Sequence, residues 1–222
     1  MSRILTVGTD VAGCRTALEL AERHEGVFAV LGIHPHEAGA AGSDAVREVC
    51  RMQSHPKAVA VGEIGLDWFR DYAPRDDQLR LFSAQLAMAA DIRKPVVIHT
   101  RAADEDTLAA LREFDGTVVL HCFGSPHLLP EALERGWYVS FAGNATFPKA
   151  SDLRLAASLV PAERILAETD TPYLAPQPVR GKSNEPAYVV HTLAALAEVR
   201  REDPAELELQ IERNAAACFS LP

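Results

Sequence analysis

Short apolar segments alternate with longer amphipathic segments along this 222-residue chain. Seven of the apolar segments are predicted to form strands, at residues 4–7, 27–31, 58–61, 96–98, 118–120, 138–141 and 165–167. Most of them are apolar without a break, which is typical of parallel strands that are buried on both faces. The alternation therefore predicts an α/β fold built around a parallel sheet.

The segments between the predicted strands have the features of helices. Phe82 and Leu86 recur at helical spacing, and Asp203 followed by a proline and Glu206 has the pattern that begins a helix. No linker, repeat or low-complexity tract divides the chain, so we expect one domain over residues 1–222. Seven strands are compatible with a (β/α) barrel, which normally has eight, and with an open doubly wound sheet.

The balance of charges limits the possible partners. The chain has 22 Lys and Arg against 31 Asp and Glu, a net charge of -9. A protein that binds long duplex DNA through its phosphates usually has the opposite sign, so any nucleic-acid activity must depend on a local site. The four cysteines are scattered, as expected for reduced cytoplasmic thiols. No secretion signal or membrane-spanning apolar run is evident, so we expect a cytoplasmic protein.

Four predicted strands are followed by residues that can bind a metal ion. These residues are Glu63, His99, His121 and Asp170. In a (β/α) barrel the C-terminal ends of the strands share one face, and catalytic groups come from several strands. Taken singly, each His could be structural and each carboxylate could be a helix cap. Their recurrence in successive strand–helix units favours a barrel with a divalent-metal site, in which zinc, nickel, magnesium and manganese are not distinguishable.

Specific motifs surround these positions. They are Gly-Ile-His-Pro-His at 32–36, Gly-Glu-Ile-Gly-Leu-Asp at 62–67, Val-Ile-His-Thr-Arg at 97–101, Leu-His-Cys-Phe at 120–123, Glu-Thr-Asp-Thr-Pro-Tyr at 168–173 and Arg-Gly-Lys-Ser-Asn-Glu-Pro at 180–186. On these motifs the chain resembles the TatD-type metal-dependent hydrolases and deoxyribonucleases, which are amidohydrolase-like barrels, over essentially its whole length. The resemblance implies a TIM-like (β/α) barrel.

The resemblance also implies roles for the metal-binding residues. Glu63 resembles a carboxylate that bridges two divalent cations, and His99 and His121 complete one of the two sites. Asp170 resembles a ligand of the other cation and the general base toward the attacking water. Cys122, which follows His121, is expected to face the other side of its strand as an inert thiol.

Four further residues resemble substrate-binding positions of the family. His34 and Arg101 are expected to contact a substrate phosphate, and Asn184 and Arg180 to shape the rim of the pocket. Alternatives remain open at this point. The motif that contains His34 could be only a turn after a strand, and Arg180 could be an exposed loop cation. Trp68 and Phe69 could stack on a base or pack against the protein.

The chain departs from the family pattern at its start. TatD-type proteins open with a strand that carries a His-x-His pair, whereas residues 3–10 resemble the second strand of the family. We therefore expect seven of the eight barrel strands, and one metal site reduced mainly to Glu63 and Asp170. A missing strand would leave strand edges unpaired. Either the gap closes, another chain fills it, or the natural protein begins upstream.

The resemblance implies hydrolysis of phosphodiester bonds in DNA, acting from the 3′ end of single strands. The expected partner is a single-stranded DNA end, and the expected assembly is a monomer or a weak homo-oligomer. Two alternatives are open: hydrolysis of another ester, such as that of an aminoacyl-tRNA, and a catalytically weakened scaffold. The metal ligands alone do not separate these three functions.

Overall fold

The computed structural model describes residues 3–70 and 72–222. Seven strands alternate with helices along the chain, and every strand pair with an assigned register is parallel. This confirms the predicted α/β class. The strands are β1 Ile4–Gly8, β2 Val27–Leu31, β3 Ala58–Asp67, β4 Val96–Arg101, β5 Val118–Leu120, β6 Tyr138–Phe141 and β7 Ile165–Ala167.

Within the described part of the chain, eight α-helices connect and follow the strands. They are α1 Val11–Arg23, α2 Ser43–Met52, α3 Arg75–Ile92, α4 Asp104–Leu111, α5 Leu129–Glu134, α6 Ser151–Leu159, α7 Val189–Arg200 and α8 Pro204–Phe219. The predicted start of the last helix is confirmed, because the Asp203 side chain accepts hydrogen bonds from the backbone N–H groups of Ala205 and Glu206. Among the described residues, no helix combines the length and the apolar character needed to cross a bilayer.

The chain divides into two compact units, Met1–Val119 and Leu120–Pro222. The first unit contains the parallel strands β1 to β4 in chain order. Two buried glutamines brace the end of β2: Gln53 donates to the carbonyls of Leu31 and Ala60, and Gln85 bonds both the N–H and the carbonyl of Ile33. These bonds satisfy backbone groups that leave the strand ladder in a buried place.

Strands β3 and β4 extend further than the sequence predicts. The prediction ended them at residues 61 and 98, whereas β3 continues to Asp67 and β4 to Arg101. Glu63 and His99 therefore lie within strands, not after them. Gly65 permits this close pairing, because its φ is +142° and a Cβ there would lie 1.9 Å from the carbonyl oxygen of His99.

The second unit contains β6 and β7, which pair in parallel from Val139 opposite Ile165 to Phe141 opposite Ala167. Helix α8 packs on β7, and the buried Asn214 on that helix donates hydrogen bonds to the carbonyls of Ala162 and Ile165. Both N–H groups of this amide are thus used to fix the start of β7. Glu168 and Asp170 follow the C-terminal end of this strand.

Candidate metal centre

Five ionisable side chains lie together at the C-terminal ends of β2, β3 and β4 in the first unit. This first cluster consists of His34, His36, Glu63, Asp67 and His99. His34 and His36 come from the turn after β2, Glu63 and Asp67 from β3, and His99 from β4. The sheet therefore gathers residues that are up to 65 positions apart in the sequence.

Glu63 connects two of the imidazoles in the first cluster. Its Oε1 lies 2.8 Å from Nδ1 of His99 and 3.5 Å from Nε2 of His34. Burial lowers the pKa of His34 below its ordinary value, although the nearby Glu63 carboxylate opposes the shift. A neutral imidazole has a free nitrogen lone pair, which is the form that binds a metal ion.

Asp67 contacts the imidazole of His36 and, like Glu63, that of His99, from a fully buried position. Its Oδ2 lies 2.8 Å from Nε2 of His36 and 3.3 Å from Nε2 of His99. Its Oδ1 accepts hydrogen bonds of 2.9 Å from the N–H groups of Phe69 and Arg70. Burial by itself would raise the pKa of Asp67, but the hydrogen bonds with His99 and His36 outweigh it and hold the pKa well below its usual range. The carboxylate is therefore ionised.

A second cluster lies after β5 and β7 in the second unit. It consists of His121, Cys122, Glu168 and Asp170, with Ser140 behind them. Nδ1 of His121 lies 2.8 Å from Oε1 of Glu168, and Nε2 lies 3.7 Å from Oδ1 of Asp170. Glu168 also accepts hydrogen bonds from the Cys122 N–H at 3.0 Å and from the Ser140 hydroxyl at 2.5 Å. These bonds hold Glu168 and, through it, the His121 ring.

Two residues of the second cluster have left-handed backbone conformations. Cys122 has a φ of 45° and Asp170 a φ of 58°. Few residues other than glycine adopt this conformation, and such strain is concentrated at functional sites. The expectation that Cys122 lies in the core on the other face of its strand is wrong: it lies beyond the end of β5, where strand alternation no longer applies, and it is only half-buried. That its thiol is inert stays a prediction.

The donor atoms of both clusters suit a divalent cation. Ring nitrogens of His34, His36 and His99 lie within 4.8 Å of one another, and one ligand atom each of His121, Cys122 and Glu168 does so as well. Imidazole, thiolate and carboxylate groups are the ligands that zinc uses in proteins, and imidazole also suits nickel and iron. The residues therefore fit a metal ion by their chemistry.

The structure places each of the predicted metal ligands in one of the clusters. Glu63 and His99 are in contact in the first cluster, and His121 and Asp170 are neighbours in the second. His34, predicted to contact substrate, lies beside Glu63 in the first cluster. Their roles as ligands, and that of Asp170 as a general base, stay predictions.

The other predicted substrate residues lie outside the clusters. Arg101 is exposed at the end of β4, with its guanidinium 3.9 Å from the centre of the Phe69 ring. Arg180 is exposed over the ring of Phe147 at 3.8 Å. Asn184 is buried, and its amide donates to the carbonyls of Thr169 and Tyr173 at 2.7 Å. Asn184 therefore braces the loop that follows Asp170.

Sequence reasoning gave no role to three residues of these clusters. His36, Asp67 and Glu168 stand inside the motifs that were noticed, but their function as partners of neighbouring imidazoles depends on side-chain directions. One signal pointed to Asp67: it ends the Gly-Glu-Ile-Gly-Leu-Asp motif at 62–67, which also contains Glu63. Gln78 on α3 supports it by bonding the backbone N–H and carbonyl of Asp67, which no sequence pattern reveals.

Solved structures share the fold of this chain. The TatD homolog YJJV of Escherichia coli superposes with a TM-score of 0.94 at 29% identity, over 100% of this chain and 88% of that chain. A TatD family hydrolase of Entamoeba histolytica superposes with a TM-score of 0.87 at 19% identity, over 99% of this chain and 85% of that chain, and this likeness concerns the fold alone. The chain thus has the predicted TIM-like (β/α) fold. Its sequence relatives show that its class is that of the metal-dependent hydrolases.

Sequence comparison then gives the family. The model described as TatD related DNase matches residues 1–220, and the chain belongs to this family. The uncharacterized metal-dependent hydrolase YabD of Bacillus subtilis is 34% identical over 100% of this chain and 88% of its own length. The 3'-5' ssDNA/RNA exonuclease TatD of Klebsiella pneumoniae is 36% identical over 98% of this chain and 86% of its own length.

Proposed function

We propose that this hydrolase is a deoxyribonuclease that cleaves phosphodiester bonds with the help of divalent cations, working from the 3′ end of single-stranded DNA. The observation that carries the proposal is the presence of the two imidazole–carboxylate clusters at the C-terminal ends of parallel strands. That is where (β/α) barrels carry their catalytic groups. The names of related proteins, which include 3'-5' ssDNA/RNA exonucleases, support the choice of substrate.

In this proposal Glu63, His99, His121 and Asp170 are the metal ligands. A bound cation lowers the pKa of a coordinated water and offsets the negative charge of the phosphodiester. Asp170 is the general base that accepts a proton from the attacking water. Its side chain is 28% exposed, and its Oδ1 lies 3.7 Å from Nε2 of His121. The family resemblance implies two cations, of which magnesium, manganese, zinc and nickel are the candidates.

The remaining charged neighbours orient these ligands. Asp67 hydrogen-bonds Nε2 of His99, and Glu168 hydrogen-bonds Nδ1 of His121. The other nitrogen of each ring faces a proposed ligand carboxylate, Glu63 for His99 and Asp170 for His121. Partners of this kind fix the ring orientation of a ligating imidazole and make it a stronger ligand. His34 and Arg101 are proposed to contact the phosphate, and Asn184 to keep its loop in place.

We further propose that the protein acts in the cytoplasm, as a monomer or a weak homo-oligomer. The buried residues Cys14 and Cys218 are free thiols, which supports a reducing compartment. The acidic net charge of -9 argues against a broad DNA-binding surface, so substrate attraction has to come from bound cations and a few local arginines.

The test is digestion of DNA that carries a label at one end only. Single-stranded and duplex DNA, each labelled at the 5′ or the 3′ end, are incubated with magnesium, manganese, zinc or nickel, and with a chelator as the control. The proposal predicts that 5′-labelled single strands shorten stepwise while a 3′ label is released at once, and that the chelator abolishes both. Intact DNA with every cation, together with hydrolysis of an aminoacyl-tRNA, would assign the protein to another ester substrate.

A further inference from the structure

The turn after β3 presents two aromatic rings to solvent. The side chains of Phe69 and Tyr72 are 61% and 64% exposed. Aromatic side chains are usually largely buried, but a single exposed one is common and needs no explanation. These two, however, stand three residues apart in one turn and next to the first cluster, so they form a common feature.

Two arginines lie over the same rings. The guanidinium of Arg101 is 3.9 Å from the ring centre of Phe69, and that of Arg70 is 5.5 Å from Phe69 and 6.0 Å from Tyr72. We call Phe69, Arg70, Tyr72 and Arg101 the Phe69 surface. It carries two arginines in a protein whose net charge is -9. Exposed aromatic rings beside arginines provide base stacking and phosphate attraction together.

The Phe69 surface is continuous with the first cluster. The ring of Tyr72 contacts the ring of His36 edge to face, with their centres 4.7 Å apart. Asp67, which accepts from His36 and His99 through Oδ2, accepts from the N–H groups of Phe69 and Arg70 through Oδ1. One buried carboxylate thus fixes both the imidazoles and the turn that carries the aromatic rings.

We infer that the Phe69 surface binds one unpaired nucleotide of a single-stranded nucleic acid, with the base stacked on Phe69 or Tyr72 and the phosphate beside Arg101 and Arg70. The inference rests on the proposed function and adds the residues that select a single strand. A paired base in a duplex has both faces covered by its neighbours, whereas an unpaired base can offer one face to a protein ring. Stacking of this kind accepts any base.

The test compares a normal strand with one that lacks bases. Oligothymidylate with hydrolysis-resistant phosphorothioate linkages and an abasic strand of the same length and linkage are titrated with the metal-loaded protein, and the two dissociation constants are measured by fluorescence anisotropy. Wild-type protein is expected to prefer the base-containing strand by about tenfold. In the double variant Phe69→Ala, Tyr72→Ala the preference should disappear, because only contacts with the backbone remain.

Matched controls are available on the surface of the second unit. Leu209→Ala removes another large, 57% exposed apolar side chain, and Arg213→Ala removes another exposed guanidinium. Both should retain the wild-type preference, whereas Arg101→Ala should weaken both strands alike and reduce the salt dependence of binding.

Two results would overturn the inference, and they differ in what they say about the proposed function. If the wild type digests single strands but the double variant keeps its preference for bases, the Phe69 surface is not the stacking site and the nuclease assignment stands. If the wild type neither binds nor digests either strand, the nuclease assignment fails and the inference fails with it. Circular dichroism of each variant checks that it is folded.

Discussion

Asp67 and His36 are joined by a 2.8 Å contact between a fully buried carboxylate oxygen and an imidazole nitrogen. The same oxygen reaches His99, so one side chain orients two rings. We predict that Asp67→Asn lowers metal affinity and DNA hydrolysis by about 10- to 100-fold, because the amide removes the negative charge that these rings face. Metal content by atomic emission and the rate of DNA hydrolysis are the measurements.

The control for that variant is Asp91→Asn, an equal change at an exposed position on α3. It should match the wild type in both measurements. If Asp67→Asn retained full metal content and full activity, the role of the carboxylate would be limited to stabilising the turn after β3, through its bonds with the N–H groups of Phe69 and Arg70.

Glu63 contacts the imidazoles of His99 and His34, and we predict that Glu63→Gln reduces DNA hydrolysis by more than about a hundredfold. An amide oxygen is a weaker ligand than a carboxylate, and loss of a cation removes several kcal/mol of transition-state stabilisation. Glu134→Gln on α5 changes an exposed carboxylate in the same way and should have no effect. Activity of Glu63→Gln close to that of Glu134→Gln would exclude Glu63 as a metal ligand.

Gly65 should be the most sensitive glycine of the first unit. We predict that Gly65→Ala lowers the free energy of unfolding by about 3 kcal/mol or more, because a Cβ would collide with the backbone of His99 and φ is +142°. Gly39→Ala is the control, since a Cβ there meets only ordinary contacts at 3.5 Å or more, and it should change stability by less than about 1 kcal/mol. The measurement is urea denaturation of the two variants, compared by the midpoints and slopes of their curves. Coinciding curves would contradict the prediction.

The thiols of Cys14 and Cys218 should be protected in the folded protein. Burial raises the pKa of each from 9.0 to about 12, so at pH 8 both stay protonated and out of reach of iodoacetamide. The half-buried Cys50 and Cys122 are the sites available for labelling. Mass spectrometry after native labelling should find only the latter two modified, and labelling in urea should find all four.

The same shift in pKa has a consequence for stability. A thiol whose pKa is higher in the folded state stabilises the fold fully below pH 9 and loses that contribution as pH rises from 9 toward 12, because the unfolded chain ionises first. The free energy of unfolding of the wild type should therefore fall over this range more steeply than that of a Cys14→Ala, Cys218→Ala variant. Equal slopes would mean that these thiols ionise alike in both states.

The strands could be predicted from the sequence because burial on both faces leaves uninterrupted apolar runs. Five of the seven strands have the predicted bounds or differ by one residue. The ends of β3 and β4 could not be predicted in this way, because polar residues such as Glu63 and His99 look like loop residues although the strands continue beyond them. The pairing of β3 with β4 shifts register between Val61 and Ile64, around Glu63, and then resumes with Gly65 opposite His99. The close approach at Gly65 explains the continuation, and it depends on pairing with a strand more than 30 residues away.

The metal-binding candidates could be predicted because each follows or ends an apolar run. What the sequence could not reveal is which carboxylate faces which imidazole. Asp67 and Glu168 each orient a histidine, yet one lies at the end of a long strand and the other directly after a short one. Asn184, expected at the rim, is buried. Its amide donates to two backbone carbonyls that the irregular loop leaves without strand partners, and these bonds brace the loop.

The left-handed backbone at Cys122 and Asp170 affects how this protein would respond to directed evolution. A glycine at either place would relieve about 1 kcal/mol of conformational strain, so selection for heat resistance alone would favour such replacements. Glycine at 170 would also delete the proposed base. Libraries screened only for thermostability would therefore tend to enrich variants that are more stable but catalytically inactive. Position 170 should be kept as aspartate in such libraries.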